Sequence, residues 1–395
     1  MTTPSPDFGQ ADSLITIDLD AINHNWRTLD ALSDSRTETA AVVKADGYGL
    51  GAPVIAPPLA AAGCRTFFVM SLAEAVILRT ALTDTGFPDC RIFTLSGIHH
   101  GQEDDYAAHC ITPVINNIKQ FQNLARKAQQ TGSPVAAALH IDTGMTRLGL
   151  DRDEVAWLRA GYADGDDRLQ GVTPCLMMSH LSASEDLKDD ASARQLADFT
   201  ALRDSLPPMP ASLANSGGSF LGAPYHFDLT RPGIALYGLH PAGADVTGRQ
   251  PDEASSLRPA VTWQARILQH RRAVAGDAVG YNGTHVVTRD SRIVTLGVGY
   301  ADGYPRSLGN IAKVEIGGQL APVVGRVSMD SITVDVTEID EAVVNNAGCA
   351  TLLGAAYQLA EMARDAGTIG YEILTQLGKR PARRFKAGKK GQSGA

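Results

Sequence analysis

No two of the five cysteines (Cys64, Cys90, Cys110, Cys175 and Cys349) form a C-x-x-C pair, and their number is odd. That argues against a disulfide framework and a cysteine-based zinc site, so we expect no metal and a reducing, cytoplasmic setting. Nowhere does an apolar run reach the ~18 residues that a membrane span needs. The first dozen residues contain Pro, Thr and Ser without the charged-then-apolar order of a signal segment, which again points to the cytoplasm and away from a membrane partner. Positive charge is outweighed, 35 Lys and Arg against 43 Asp and Glu, and the net charge of -8 argues against a nucleic-acid partner. No G-x-G-x-x-G opens a helix after the first strand, which disfavours a dinucleotide fold. There is no internal repeat.

What remains is an ordinary globular composition, 44% hydrophobic and 20% charged over 395 residues, long enough for two domains. Over residues 14–239 short apolar runs (40–43, 66–70, 91–95, 135–141 and 172–178) alternate with amphipathic stretches (71–82, 117–130 and 191–206). Strands alternating with helices imply a parallel sheet, and about eight such units in roughly 230 residues fit a closed (β/α)8 barrel better than an open sheet. Near residue 245 the texture changes. A polar stretch at 247–259 reads as a linker, and runs at 261–274, 291–298, 312–317, 321–327 and 332–336 read as strands, followed by short helices at 355–366 and 369–377. The fold class expected is α/β: a (β/α)8 barrel over 12–246, a mainly β C-terminal domain over 247–386, and a Gly- and Lys-rich tail at 387–395 expected to be disordered.

The run Ala41-Val42-Val43-Lys44-Ala45-Asp46-Gly47-Tyr48-Gly49 brings one lysine to the end of an apolar strand and follows it with a glycine-rich turn. A lysine at the end of an interior strand is suited to Schiff-base chemistry, because desolvation lowers the ammonium pKa and frees the amine. By itself the pattern also fits a lysine that caps a strand and reaches out to solvent.

Four further motifs accompany it: Ile141-Asp142-Thr143-Gly144-Met145-Thr146-Arg147-Leu148-Gly149, Ala214-Asn215-Ser216-Gly217-Gly218, Arg231-Pro232-Gly233-Ile234-Ala235-Leu236-Tyr237-Gly238 and Gly299-Tyr300-Ala301-Asp302-Gly303-Tyr304-Pro305-Arg306. In this order, and over about residues 15–384, the chain closely resembles the alanine racemases, which are pyridoxal-phosphate enzymes with a (β/α)8 barrel followed by a β domain. The resemblance implies that Lys44 forms the internal aldimine with pyridoxal 5'-phosphate and acts as one base, with Tyr300 as the other. Racemisation must deliver a proton to either face of Cα, and a tyrosine with a reference pKa of ~10 works as a base only where its phenolate is stabilised. In the family this tyrosine reaches the barrel of the other subunit, so the resemblance implies a head-to-tail homodimer with shared sites.

Arg231 matches the arginine facing the pyridine nitrogen. A guanidinium stays protonated, keeps that nitrogen unprotonated and weakens the electron sink, which limits side reactions. Asn215, Ser216, Gly233 and Ile234 match the phosphate-binding region, where small residues let N–H groups approach closely, and Tyr48 and Tyr371 add hydroxyls. His180 falls where the family stacks or hydrogen-bonds the cofactor. The substrate carboxylate is assigned to Arg147 and to the backbone near Met329, and Tyr300 and Tyr371 narrow the entrance.

Three positions depart from the pattern. Many members carry a carbamylated lysine two residues before the Asp-Thr-Gly, where this chain has His140. Imidazole cannot carry that carbamate, so either a bound anion such as chloride replaces the charge or Arg147 is held differently. Leu50 and Ser328 replace a histidine and a cysteine common in the family. The function expected is interconversion of L- and D-alanine, supplying D-alanine for peptidoglycan. A broader amino-acid racemase acting, for example, on serine is the alternative. A decarboxylase would pair the ring nitrogen with an acid rather than with Arg231, and a pyridoxal-phosphate carrier would need neither the β domain nor Tyr300.

Overall fold

The structure, a computed structural model, describes residues 6–186, 189–241 and 256–388. The expected linker therefore lies outside the described residues as far as 255, and the expected tail does so from 389. The chain divides into two compact units, one of Ile22–Leu257 and the other joining Met1–Ala21 to Arg258–Ala395.

The first unit is built on seven parallel strands that neighbour one another in chain order: Ala41–Val42, Thr66–Val69, Arg91–Thr94, Ile111–Ile115, Val135–His140, Val172–Met178 and Ala211–Ser212. An open sheet of this kind would leave two raw edges. Here Leu229–Thr230 fills the gap between the last strand and the first. On one flank Ala40 N and Val42 N donate to Thr230 O and Pro232 O, both at 2.9 Å. On the other, Asp228 N and Arg231 N donate to Ala211 O and Ala214 O at 3.0 and 2.9 Å. The ring is thereby closed with no edge, as the alternation of strand and helix predicts. The helices expected near 71–82, 117–130 and 191–206 form as Leu72–Asp84, Ile118–Thr131 and Ala191–Arg203. Ser71 and Asn117 cap the first two through their side-chain oxygens, and Gly132 ends the second in the left-handed conformation that a glycine adopts without strain.

The interior of the ring is filled rather than hollow. Ala40, Val42, Phe68, Phe93, Val114, Ala138, Leu176, Met178 and Leu229, drawn from every strand of the ring but Ala211–Ser212, form one buried cluster. Phe68 and Phe93, on neighbouring strands, stack with ring centroids 4.9 Å apart. Filling of this kind makes the barrel a core and leaves chemistry to the loops at the strand ends.

The second unit is organised by the long strand Val261–Ala273. It pairs antiparallel with Ser13–Asp18 and Cys349–Leu353 through its first half and with Ser291–Leu296 from Ile267 onward, and a register shift between Ile267 and Gln269 interrupts that last pairing. Two differences from the sequence reading stand out. Ser13–Asp18, which the expected division at 12–246 puts with the barrel, hydrogen-bonds to Val261–Ala273 and Ala382–Lys386 instead. A closed ring has no edge to offer it, whereas those two strands do. The strand expected at 321–327 is Gln319–Pro322, since Gly325 adopts φ 77° and turns the chain away. No helix among the described residues is long and apolar enough to cross a membrane.

Phe93→Ala removes a ring from the middle of the barrel cluster and is expected to lower the free energy of unfolding by ~3–5 kcal/mol, read from urea denaturation.

Candidate active site

Every barrel residue singled out by its motif lies at or just beyond the C-terminal end of a strand. Lys44 follows Ala41–Val42, Arg147 follows Val135–His140, and His180 follows Val172–Met178. Ser216 follows Ala211–Ser212, and Arg231 follows Leu229–Thr230. This is the end at which (β/α)8 barrels carry their chemistry.

The chain after Lys44 is unusual. Ala45, Asp46, Gly47 and Tyr48 all take left-handed values, with φ of 53°, 54°, 64° and 59°. For the three that are not glycine this costs roughly 1–2 kcal/mol each, so the turn persists only because its surroundings fix it. Asp46 accepts from Ala52 N at 2.9 Å through its carboxylate and from Gly51 N at 2.8 Å through its carbonyl. Glu74, in the first turn of Leu72–Asp84, accepts from Ala45 N at 3.0 Å with one oxygen and from Met70 N at 2.7 Å with the other. Glu74 thus ties the residue after Lys44 to the neighbouring strand end. Burial lowers the Lys44 pKa, the charge of Arg147 lowers it further, and the carboxylate of Glu74 opposes both.

Around Lys44 the field is strongly positive. Arg231 is buried, and the shift of its guanidinium to about 9 comes from that burial. It remains charged at neutral pH. Its Nη1 donates to Ser212 Oγ, and its Nη2 donates to the carbonyls of Ser179 and Leu213. Its Nε–H is left without an acceptor among the described residues. His180 is held far below its ordinary pKa by burial and then by Arg231, Arg147, Lys44 and His140, so it is neutral. Arg147 is exposed and forms no hydrogen bond or ion pair with a described residue. The loop that carries it wraps around Asp142, whose Oδ1 accepts from the backbone N–H of Gly144, Met145 and Thr146 at 2.9–3.1 Å.

His140 has no negative charge to give. Burial, then the charge of Arg231, brings it down to about 4. Asn116 spends its amide N–H groups on Leu95 O and Val114 O, so its oxygen accepts from His140 Nδ1 at 2.7 Å. That network assigns the proton to Nδ1 and leaves a lone pair on Nε2.

Beside this cluster two short helical turns, Ser216–Ser219 and Ile234–Tyr237, begin close together. The N–H groups at their first positions have no intrahelical acceptor. Ser216 Oγ accepts from Gly233 N at 2.8 Å and Ala235 N at 3.3 Å, which leaves its own proton to donate outward. Asn215 caps the first turn, accepting from Gly218 N at 2.9 Å. The glycines are required by close approach: a Cβ on Gly233 would lie 2.2 Å from the Tyr48 hydroxyl, and one on Gly217 would lie 2.4 Å from Ser184 Oγ. Burial pushes the Tyr48 hydroxyl up, so it stays a donor. A cradle of donors with no carboxylate, next to a desolvated lysine and a buried guanidinium with a spare N–H, fits pyridoxal phosphate. Lys44 would hold its aldehyde carbon, Arg231 its ring nitrogen, and Ser216, Ile234 and Tyr48 its phosphate.

Tyr300, Met329 and Tyr371 belong to the other unit. Tyr300 and Met329 lie on adjoining loops, with Tyr300 N donating to Ser328 O at 3.1 Å and Ala301 N to Met329 O at 3.0 Å. Their side chains are 43% and 52% exposed. Tyr371 sits in the helix Gly370–Thr375. The motifs left out Glu74 and Asn116. Glu74 is marked in sequence only by its place three residues after the capping Ser71, and Asn116 carries no signal, because its partner is chosen by the barrel.

The family model described as "Alanine racemase, N-terminal domain" matches residues 17–241, and the one described as "Alanine racemase, C-terminal domain" matches 260–385. The chain is 44% identical over 378 residues to the alanine racemase of Brucella canis, covering 94% of this chain and 93% of that one. It is 41% identical over 377 residues to the catabolic alanine racemase of Agrobacterium fabrum, covering 95% and 93%. Among solved structures, alanine racemase from Bartonella henselae with covalently bound pyridoxal phosphate is similar at a TM-score of 0.87 and 38% identity, covering 95% of this chain and all of that one. The biosynthetic alanine racemase of Pseudomonas aeruginosa is similar at 0.84 and 33%, covering 96% and 100%.

Glu74→Ala is expected to speed amide hydrogen exchange at Ala45 and Met70 by ~10-fold or more while leaving distant strands unchanged, because the left-handed turn loses its anchor. The lowered His140 pKa has a sign as well. The unfolded chain takes up a proton near 6.5 that the folded chain refuses until about 4, so this contribution to stability is full above ~6.5 and is lost as pH falls between the two. His140→Gln is expected to lose less Tm than the parent over that window.

Proposed function

The chain belongs to the alanine racemase family, and we propose that it interconverts L- and D-alanine by a two-base mechanism with pyridoxal 5'-phosphate held at Lys44. The observation that carries this reading is the grouping of Lys44, Arg231 and the Ser216 and Ile234 turns at one end of a closed barrel. When bound, the cofactor supplies the electron sink that makes a proton on the substrate's Cα removable.

The side chains supply the rest. Desolvation and the neighbouring Arg147 lower the Lys44 pKa against the opposing Glu74, which favours the amine as the base at one face of Cα. Arg231, charged and buried, would face the ring nitrogen with a cation and so disfavour its protonation, which suits returning a proton to Cα. Arg147 is the cation for the substrate carboxylate, a planar fork whose geometry matches that group. His180 stays neutral and adds no competing charge.

Tyr300 is the second base, and its exposure on the other unit suits a residue that completes a partner's site in a head-to-tail homodimer. Met329, exposed on the adjoining loop, belongs to the same surface and lends its backbone to the substrate carboxylate, while Tyr371 narrows the entrance. D-alanine made in this way supplies peptidoglycan precursors, and the low cysteine content without any C-x-x-C suits a cytoplasmic enzyme.

Purified protein given pyridoxal phosphate and L-alanine is expected to reach a 1:1 mixture of enantiomers, followed by chiral chromatography. Lys44→Ala should lose the cofactor absorbance, and Tyr300→Phe should keep it while kcat falls by ~10²–10⁴-fold. Retained cofactor with no D-alanine from the parent protein would sink this reading.

A further inference from the structure

We propose that Arg380 is a positioning residue for this reaction, clamping the loop that carries Tyr300 to the loop that carries Met329. The inference rests on the functional reading above, and its geometry lies within a single unit. Arg380 Nε and Nη2 donate to the two oxygens of Asp302 at 2.9 and 2.8 Å, and Nη1 donates to Asp330 Oδ1 at 2.6 Å. Asp302 lies two residues after Tyr300, and Asp330 is next to Met329. One guanidinium therefore spans both loops with three charge-assisted bonds, two of them a fork on Asp302.

Asp302 is the unusual partner. It is 4% exposed, and the Oδ2 that takes one arm of the fork also accepts from Gly299 N at 2.9 Å. Its carbonyl accepts from Gly378 N at 2.8 Å, and a Cβ on Gly303 would lie 2.2 Å from Gln376 O. The turn around Tyr300 is thus fixed from every side, while the tyrosine side chain itself is exposed and makes no hydrogen bond to a described residue. A buried carboxylate is a poor way to stabilise a three-residue turn, because desolvation offsets most of the attraction, and a neutral cap would do as well. A fork of fixed geometry is a good way to hold a neighbouring hydroxyl to within a fraction of an ångström. A misplacement of ~1 Å at a reacting group costs on the order of 10²-fold in rate.

The test is Arg380→Lys, which keeps the charge and loses the fork, made in the parent protein and in the Tyr300→Phe background, both loaded with pyridoxal phosphate. We expect kcat for L-alanine to fall ~10–100-fold in the first and less than ~2-fold in the second, where there is no hydroxyl left to position. Because the enantiomers are equal in free energy, kcat/KM must fall equally in both directions. A selective effect on one base shows instead as unequal changes in the primary isotope effects for α-deuterated L- and D-alanine. Equal losses in both backgrounds, equal isotope shifts, or no loss in kcat would overturn the proposal. If Arg380→Lys does not fold by near-ultraviolet circular dichroism, Asp330→Asn removes the Nη1 arm alone. It should lower kcat ~3–10-fold in the parent and have no effect beside Tyr300→Phe. A parent protein that forms no D-alanine overturns the functional reading and this inference with it, whereas a racemising parent with fully active Arg380→Lys overturns the inference alone.

Discussion

The backbone bonds that close the ring determine everything that happens at its mouth. Val42 N reaches Pro232 O, and Arg231 N reaches Ala214 O. Those two bonds set the strand ending in Lys44, the strand leading to Arg231 and the turn beginning at Ser216 side by side, although the three are far apart in the chain. An open sheet with the same strands would put the Lys44 strand at one edge and the Ser216 strand at the other. Closure makes them neighbours and fills the centre with Phe68, Phe93 and their companions, so that the strand ends become a rigid rim.

On that rim the dominant effect is the desolvation of Lys44 and Arg231, with the exposed Arg147 nearby. Lys44, Arg147 and Arg231 sit within reach of one another, and the two histidines among them, His140 and His180, are both driven neutral. In water these cations would be screened. In the barrel mouth burial costs Lys44 and Arg231 most, Arg147 adds to the cost at Lys44, and the fold offsets it with Glu74 beside Lys44 and with Ser179 and Ser212 on Arg231. The uncompensated positive potential is suited to a ligand that brings its own negative charge, a phosphate and a carboxylate.

The other unit uses opposite means. Its exposed Tyr300 and Met329 stand on loops whose backbone is bound at nearly every residue, and the charge there is a carboxylate held by a planar cation. One unit buries a cation on neutral acceptors alone, Ser212, Ser179 and Leu213, and the other fixes geometry by pairing a buried carboxylate with a planar cation.

Much of this was legible in the sequence. The alternation of apolar runs and amphipathic stretches pointed to a parallel, helix-covered sheet, and the runs at 40–43 and 135–141 put Lys44 and Arg147 after strands, because period and turn chemistry are local properties; the two-residue strands before Ser216 and Arg231 are too short to show a period. Substitution of His140 showed that a carbamate could not form there, since that depends on the side chain alone. Tertiary structure decided what depends on partners distant in the chain. Ser13–Asp18 falls within the range expected for the barrel but finds its hydrogen bonds in the other sheet, since a closed ring leaves it no edge. The proton of His140 is placed by Asn116, the backbone after Lys44 is held by Glu74, and the loops of Tyr300 and Met329 are joined by Arg380. None of these pairings has a periodic signature. Sequence determined which groups are present and at which strand ends; only folding decided which of them lose water, which keep a charge and which are held still.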